Sequence, residues 1–376
     1  MKIVGIICEY NPFHLGHEKQ IRHIRTLLDP DTAVVCLMSG NFVQRGAPAV
    51  FDKSLRAKAA LLAGADLVLE LPIPYALSSA EGFAAGGVKI LGPFCDYLCF
   101  GSETGNAEGL MATAQALLAE DFPEKLHAEL DKGRSFPAAR QAALGPMGTL
   151  LEHPNDILAV EYCKAILTQG WSMAPLVIHR GGSYHATEAD HQDPSATSIR
   201  NLILAEQPWS AFVPHSYVYD GAAVHATEYG HRAILYRLRT MTDADFEALP
   251  YGSEGLWRKL MHAARSQATL EQIIAATKSK RYTRTRIDRM ILCATLGITA
   301  DDLRAGAPYS RVLALNDRGR QVLKIARRDG LFPNIGEARE EEYQLLERRA
   351  DDLYALFTPT PDPAGTTDDR RLFYQK

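Results

Sequence analysis

The sequence predicts an α/β protein whose doubly wound parallel sheet is followed by a mainly helical C-terminal region. Through the first half of the chain, short apolar runs rich in Val, Ile and Leu alternate with segments of helical periodicity. Beyond about residue 206 the predicted elements are helices. We therefore expect an α/β domain over 1–205, a helical domain over 206–357 and a flexible tail, rich in Pro, Thr and Asp, over 358–376.

The first predicted element is a buried strand over 2–8, which Asn11 and Pro12 end. Further strands are expected at 31–38, 66–71, 96–100 and 174–179, with helices at 52–62, 80–91, 106–119, 123–132, 152–167, 199–205, 227–240, 242–249 and 337–357. Strands that alternate with helices in this way form a parallel sheet, and its ligands bind at the carboxyl ends of the strands, where strand order reverses. We therefore expect 9–17, 39–45 and 101–103 to line one crevice.

The composition is that of an ordinary globular protein, with 46% hydrophobic and 23% charged residues among 376. No run approaches the roughly 18 apolar residues of a membrane span, and the first strand leaves no room for a signal peptide. We expect a cytoplasmic protein without a membrane partner. A net charge of −4 argues against nonspecific coating of nucleic acid, although it is compatible with a local basic face.

The six cysteines fall mostly within apolar segments, which is typical of reduced, buried thiols. Cys95 and Cys99 are the one close pair, but neither a second pair nor a histidine cluster accompanies them. We assign no metal-ligating residues.

The most informative motif is His14-Leu-Gly-His17, directly after the first strand and at the start of a helix. A helix N-terminus presents free N–H groups and the positive end of the helix dipole, which favours a phosphate. Gly16 removes the Cβ that would hold a ribose or phosphate off the backbone, and two imidazoles three positions apart can share one crevice. Each can then donate to a phosphate oxygen or to departing pyrophosphate. The alternative is that both rings only cap the helix and bond to loop carbonyls. The motif resembles the HxGH signature of the nucleotidyltransferase and class I synthetase superfamily, which implies a Rossmann-like domain.

Several arginines follow predicted strands or open helices. Arg45 and Arg180 lie in polar, glycine-bearing loops after strands, where each could hold a phosphate by its planar fork. For Arg45, a solvated loop arginine is an equal alternative. Ser195, Thr197 and Arg200 form the first turn of a helix and predict a second anion site, suited to the β- and γ-phosphates.

This last element resembles the Ile-Ser-Ser-Thr-x-Ile-Arg element that lies downstream of HxGH in many nucleotidyltransferases. It departs from that pattern at Pro194 and Ala196, so one hydroxyl is missing. Ordinary helix capping would explain the serines and the threonine but leaves Arg200 unexplained.

Two further predictions concern helix positions. Asn155 is expected at the N-cap of its helix, with an amide that either caps or faces the crevice to read a base or ribose edge. Lys53, Arg56 and Lys58 follow the second strand on a helix, and we expect them on its surface.

The segment from Lys278 to Arg289 is basic, since six of its twelve residues are Lys or Arg, and Tyr282 lies among them. Apolar residues at helical spacing begin at Ile287, so the basic residues should lie on the outer face of a buried helix. The density of charge in an acidic chain favours nucleic-acid binding over a merely solvated face. The residues expected to contact RNA are Lys278, Lys280, Arg281, Arg284 and Arg286.

Seven blocks together resemble the bacterial tRNA(Met) cytidine acetate ligase family: 9–17, 38–46, 66–72, 100–103, 155–158, 195–200 and 280–287. The resemblance implies activation of acetate by ATP, with Mg²⁺, to acetyl-adenylate, and acyl transfer to N4 of the wobble cytidine of elongator tRNA(Met). Residues 1–205 would then be the ATP-binding catalytic domain and 206–357 the tRNA-binding domain.

The residues assigned to this chemistry come from the motifs and from the resemblance together. The catalytic residues are expected to be His14, His17 and Arg200. The ATP-binding residues are expected to be Ile7, Glu9, Tyr10, Asn11, Pro12, Phe13, His14, Gly16, His17, Gln20, Gly101, Asn155, Arg180, Ser195 and Thr197.

Two other functions remain compatible with the motifs. A small-metabolite adenylyltransferase, moving AMP onto a phosphorylated vitamin precursor, fits the HxGH crevice equally but leaves the basic segment unused. A non-catalytic RNA-binding module on a nucleotide fold is disfavoured by the presence of both HxGH histidines. Acetate-dependent pyrophosphate exchange separates these possibilities.

Overall fold

The computed structural model describes residues 1–180, 195–279, 281–307, 309–328, 338–365 and 372–375, with side chains except at 327–328 and 338–342. The strands are β1 (Ile3–Cys8), β2 (Ala33–Ser39), β3 (Phe42–Val43), β4 (Ala47–Pro48), β5 (Leu67–Leu71), β6 (Tyr97–Ser102), β7 (Ala174–His179), β8 (Val312–Asn316) and β9 (Phe373–Gln375). Short 3₁₀ segments lie at Gly145–Leu151, Ser210–Phe212, Ser216–Tyr219 and Ser253–Gly255.

The first nine helices, up to the end of the predicted α/β domain, are α1 (Leu15–Leu27), α2 (Lys53–Leu62), α3 (Ile73–Ala76), α4 (Ala80–Leu91), α5 (Ala107–Leu117), α6 (Phe122–Asp131), α7 (Phe136–Ala143), α8 (Pro154–Gln169) and α9 (Ala196–Leu204). They are followed by α10 (His231–Thr240), α11 (Asp243–Glu247), α12 (Leu256–Ser266), α13 (Leu270–Thr277), α14 (Arg284–Leu296), α15 (Ala300–Ala305), α16 (Asp317–Arg328) and α17 (Ala338–Tyr354).

The main sheet has the strand order β7-β6-β1-β2-β5-β8-β9 among the described residues. The five strands from β7 to β5 are mutually parallel, as the sequence predicts. Strand order reverses at β1, because β2 and β5 lie on one side of it and β6 and β7 on the other. The predicted crevice should therefore open at the carboxyl ends of β1 and β6.

The sheet is covered on both faces, which is why its strands are apolar throughout. Successive residues of β2 show this directly. Val35 and Leu37 pack into one core with α4, α5 and α8, whereas Val34 and Cys36 pack into another with α1, α2 and α9. This alternation confirms the doubly wound α/β fold.

The far edge of the sheet comes from the C-terminal part of the chain. β8 pairs antiparallel with β5, and β9 pairs parallel with β8. The sheet is therefore mixed rather than wholly parallel, and strands from 206–357 and 358–376 complete it. β8 covers the unpaired edge that β5 would otherwise expose. The division at residues 205 and 357 stays a prediction.

The helical region has a core of its own, built by α10 to α14 and α17, and Phe42, Ile73 and Leu77 of the α/β part pack into it. Helix α14 contributes an almost continuous buried stretch from Met290 to Leu296. Within the part of the chain that the structure describes, every helix is too short or too polar to span a lipid bilayer.

Candidate active site

A pocket opens at the carboxyl ends of β1 and β6, at the reversal of strand order. It is lined by Ile6, Ile7, Cys8, Glu9, Tyr10, Asn11, His14, His17, Gln20, Gln44, Arg45, Phe83, Cys99, Phe100, Gly101, Asn155, Leu158, Tyr162, Arg180, Ser195, Ala196, Thr197 and Arg200. Most of the residues predicted for ATP binding lie here, together with the three predicted catalytic residues. Segments separated by up to about 190 positions along the chain thus meet at one edge of the sheet.

Three residues of the predicted set do not line the pocket. Phe13 is fully buried in the core beneath α1. Pro12 lies beside it in the turn, and Gly16 donates its backbone N–H to His14 within the first turn of α1. Their contribution is to shape the turn between β1 and α1.

The two motif histidines cap α1 and line the pocket at the same time. Gly16 N–H donates to His14 Nδ1 at 3.1 Å, and His14 N–H donates to His17 Nδ1 at 3.2 Å. The rings stack with centroids 3.7 Å apart. Because each Nδ1 accepts a hydrogen bond, a neutral ring must carry its proton on Nε2. His14 and His17 therefore cap the helix, as the alternative interpretation expected, and they also line the pocket.

Both rings are held neutral. Burial, followed by the positive charges of Arg180 and Arg200, lowers the pKa of His14 to about 3. Burial and the neighbouring His14 and Arg180 lower the pKa of His17 well below its usual value. At neutral pH each imidazole is thus a fixed N–H donor and not a titrating acid.

The cationic side of the pocket is formed by arginines from three different loops or helices. Arg200 is oriented by donating to Asn11 O at 2.8 Å and to Thr197 Oγ1 at 3.1 Å. Arg180 follows β7 and crosses Gly101, where an added Cβ would lie 2.4 Å from its Cδ. Gly101 is therefore required for this path of the Arg180 side chain. Arg45 joins them from the loop between β3 and β4, which follows β2 in the chain.

The N-terminus of α9 also faces the pocket. The helix begins at Ala196, three residues before the predicted start at Ile199, so that Ser195 is its N-cap, and Ser195 Oγ accepts from Ser198 N–H at 3.0 Å. Ser195, Ala196 and Thr197 line the pocket. Two helix N-termini, those of α1 and α9, therefore converge with the arginines where a polyphosphate would be favoured.

The prediction that Asn155 is an N-cap is wrong. Helix α8 begins two residues earlier than this prediction requires, at Pro154 with His153 as its N-cap, because proline suits the first helical position. The carboxylate of Glu103 instead satisfies the helix end, accepting from Asn155 N–H at 3.2 Å and Asp156 N–H at 2.9 Å. Glu103 was expected to line the crevice, but it caps α8.

Glu103 also orients the Asn155 amide. Asn155 Nδ2 donates to Glu103 Oε1 at 2.6 Å, which leaves Oδ1 of this lining residue able to accept a hydrogen bond. An acceptor at this place suits an exocyclic amine such as that of adenine.

Sequence reasoning missed the apolar side of the pocket. Leu158 and Tyr162 lie three and seven positions after Asn155, on one face of α8, and Phe83 and Phe100 lie nearby in the lining. The helical spacing from Asn155 was the available signal. A pocket lined by both apolar side chains and arginines suits a ligand with a flat base at one end and phosphates at the other.

The surface position predicted for Lys53 and Arg56 is wrong, because both residues are buried. Arg56 is fully buried and donates to Phe51 O at 2.8 Å, to Glu9 O at 2.6 Å and to Ser39 O at 3.2 Å. These bonds tie the ends of β1 and β2 together. Helical periodicity did not reveal this because the acceptors are backbone carbonyls of other elements.

The described residues of the pocket lining offer few side chains that could bind a metal ion without a second ligand. Glu9 is the single carboxylate among its described lining residues, and Gln44 N–H already donates to Glu9 Oε1 at 2.8 Å. The described residues contain no group of three or more His, Cys, Asp or Glu arranged for a metal. This donor set fits Mg²⁺ that arrives on phosphate oxygens and keeps its waters.

The predicted RNA-binding residues differ in how far they are engaged within the protein. Arg284 bonds the carboxylates of Glu271 and Asp288, and Arg286 donates to Tyr251 O and Ser253 Oγ. Lys278 and Arg281 are exposed. Lys280 lies outside the described residues. The role of these five residues in RNA binding stays a prediction.

The chain resembles known proteins over almost its whole length. Residues 1–369 match the model of the family described as HIGH Nucleotidyl Transferase. The tRNA(Met) cytidine acetate ligases of Acetivibrio thermocellus and Anoxybacillus flavithermus are 36% and 35% identical to it, over 400 and 386 residues, with 96% of both sequences covered in each case.

Two solved structures are similar as well, both of Thermotoga maritima TmcAL. The apo form has a TM-score of 0.91 and the form bound with alpha-thio ATP has a TM-score of 0.89. Each is 30% identical to this chain and covers 100% of both chains.

Proposed function

The chain belongs to the tRNA(Met) cytidine acetate ligase family of the HIGH nucleotidyl transferases, and we propose that it uses ATP to join acetate to N4 of the wobble cytidine of elongator tRNA(Met). The observation that carries this proposal is the pocket itself. Two neutral imidazole donors, three arginines and two helix N-termini converge at the strand-order reversal, in a lining that also contains apolar side chains. Such a site matches a nucleoside triphosphate in charge and in shape.

The adenine would lie against Phe100, Leu158 and Tyr162, with its exocyclic amine donating to Asn155 Oδ1. The triphosphate would extend toward Arg180 and Arg200. Mg²⁺ carried on the phosphates would withdraw charge from them and be held by their oxygens and water, with Glu9 as the one carboxylate within the lining.

Acetate needs activation because its leaving group would be an oxide. In the first step an acetate oxygen forms a bond to the α-phosphorus, and the bond to the bridging oxygen breaks, so that pyrophosphate leaves with the electron pair. His14 and His17 donate from Nε2 to the oxygens where charge grows, and Arg180 and Arg200 stabilise the departing pyrophosphate.

In the second step the cytidine amine attacks the acetyl carbon of acetyl-adenylate. The new C–N bond replaces the C–O bond to AMP, which leaves as the anion, and the amine proton is released. The wobble base is unpaired in its loop, so presenting it costs less than flipping a base out of a duplex.

The direct test is mass analysis of nucleosides from tRNA incubated with the protein, ATP and isotopically labelled acetate. We expect labelled N4-acetylcytidine at one position of elongator tRNA(Met). Acetate-dependent pyrophosphate exchange without tRNA should also occur, whereas a small-metabolite adenylyltransferase would show neither. ATP binding without either reaction would refute the ligase function and leave the adenylyltransferase and the non-catalytic module as the alternatives.

A histidine variant can be matched to a control on the same helix. His14→Asn removes the imidazole donor but keeps a side-chain oxygen that can cap Gly16 N–H, so the helix start should survive. We expect pyrophosphate exchange to fall by about 10²- to 10³-fold, as for the loss of one preorganised donor. His23→Asn, at an exposed position of α1, should leave exchange unchanged. Equal activity of the two variants would refute the role of His14.

A further inference from the structure

The arginines of α14 already make contacts within the protein. Arg284 and Arg286 already bond protein acceptors, and Arg289 donates to Gln44 O at 3.4 Å beneath the ring of Tyr251. Burial lowers the pKa of Arg289, with the Tyr251 contact opposing it. A phosphate that approached these side chains would have to break existing contacts.

Helix α12 offers a second basic surface, on which Lys259 and Arg265 also contact protein groups. Its sequence, LWRKLMHAARS, contains no acidic residue. Leu256, Leu260 and Ala264 are buried, whereas Arg258, Lys259, His262 and Arg265 are exposed on the opposite side. Asp243 pairs with Arg265 at 2.6 Å, but both side chains are about half exposed or more, so this pair is weak.

Helix α10 continues the same surface. Its sequence, HRAILYRLRT, also lacks acidic residues. Arg232, Tyr236 and Arg239 are exposed at positions i, i+4 and i+7, which place them on one helix face. Tyr236 is 72% exposed, the largest exposure recorded for a described apolar or aromatic side chain of its size. Arg239 and Arg265 line one shallow depression, so the two helices meet there.

Contacts connect this surface to the pocket. Lys259 Nζ donates to Lys278 O at 3.1 Å, so α12 adjoins the start of the predicted basic segment. At the other end of that segment, a Cβ added to Gly46 would lie 2.4 Å from Arg289 N, which places the loop between β3 and β4 directly against α14. The same loop supplies Gln44 and Arg45 to the pocket lining.

From these observations we propose that the face formed by Arg232, Tyr236 and Arg239 of α10 with Arg258, Lys259 and Arg265 of α12 binds the sugar–phosphate backbone of the RNA substrate. The α10–α12 face would hold phosphates with its cations, and Tyr236 would stack on an unpaired base. This inference rests on the proposed function for the identity of the RNA. One RNA strand that is bound to the α10–α12 face could run past Lys278 and α14 to the pocket, because these elements contact one another in that order.

The charge component is tested by salt dependence. For Arg258→Ala/Lys259→Ala we expect weaker binding of elongator tRNA(Met) and a plot of log affinity against log salt that is shallower by about 2, which corresponds to about 0.9 for each lost phosphate contact. The control is Lys125→Ala/Lys132→Ala, at two exposed side chains on α6 and at its C-cap, and it should leave the slope unchanged. An unchanged slope in the α12 variant would overturn the proposal.

The stacking component has an internal control. Tyr236→Ala should weaken tRNA binding by roughly 5- to 150-fold, the range found for loss of one base–aromatic stack. Tyr236→Phe keeps the ring and should bind as the parent does. Equal affinities of the two variants would refute stacking.

The proposed function and the proposed RNA-binding face would be refuted by different results. Tyr236 and the α12 cations do not line the pocket, so acetate-dependent pyrophosphate exchange without tRNA should be the same in all variants. If the parent acetylates tRNA and the α10–α12 variants bind and acetylate equally well, the surface is wrong and the function stands. If the parent binds tRNA in a manner that these variants lose but forms no acetylcytidine, the surface stands and the function is wrong.

Discussion

A buried cluster of charges behind the pocket allows a quantitative prediction for Lys53→Met. Lys53 Nζ donates to Glu70 Oε1 at 2.8 Å and to both oxygens of Asp351 at 2.8 and 2.6 Å. The Lys53 side chain is 5% exposed. Burial by itself would lower the pKa of Lys53, but the carboxylates of Glu70 and Asp351 outweigh it and raise the pKa.

The magnitude follows from what the substitution leaves behind. Removing one partner of a buried ion pair costs about 3–5 kcal/mol, since the other partner keeps a desolvated charge. Arg311 still contacts Glu70 at 2.7 Å and Asp351 at 3.1 Å, but it is 29% exposed and faces Glu347 as well. Because Arg311 still offsets part of the charge of the three buried carboxylates, we expect a loss near the lower end, about 3 kcal/mol.

Urea unfolding measures this loss as a lower midpoint at constant slope. The matched control is Lys125→Met, which breaks an exposed pair with Asp121 and should change the free energy of unfolding by less than about 1 kcal/mol. The deficit of Lys53→Met should also be larger at pH 8 than at pH 5.5. Burial raises the pKa of Asp351 even with Lys53 present, and protonation at low pH relieves the unpaired charge. A deficit as small as that of Lys125→Met would refute the reasoning.

Three further outcomes follow. Burial raises the pKa of Glu347 to about 7. The contribution of this carboxyl to the free energy of unfolding is therefore present below its unfolded pKa and is lost as the pH rises through about 7. In urea titrations, the free energy of unfolding of Glu347→Gln should accordingly increase relative to that of the parent as the pH rises from about 5 to about 8. The lowered pKa values of His14 and His17 act in the opposite sense. Their contribution to the free energy of unfolding is complete above about pH 6.5 and is lost at acidic pH, for His14 as the pH falls through about 3. Pyrophosphate exchange should therefore show no break near about pH 6.5 of the kind that histidine protonation would cause. Gly101→Val should displace Arg180 and weaken ATP binding in calorimetric titrations, whereas the unfolding midpoint should change much less.

The local sequence pattern was enough to predict the parallel strands and covering helices of the first half of the chain and the place of the pocket. A strand period followed by a helix period is a local signal, and parallel strands leave little freedom in where their loops meet. The HxGH motif at the junction of β1 and α1 could be located for the same reason, because a helix N-terminus next to a strand end has a defined position and polarity.

The burial of charged residues and the identity of their hydrogen-bond partners depend on the tertiary structure. Lys53 meets Asp351 across 298 positions, and Arg200 is oriented by Asn11 across 189. Periodicity reports whether a residue lies on a helix face, but the burial of a cation depends on partners brought by distant segments, and their Coulomb energy exists only once the chain has closed. The antiparallel β8, the capping of α8 by Glu103 and the α10–α12 face are likewise products of long-range packing that the local pattern does not carry.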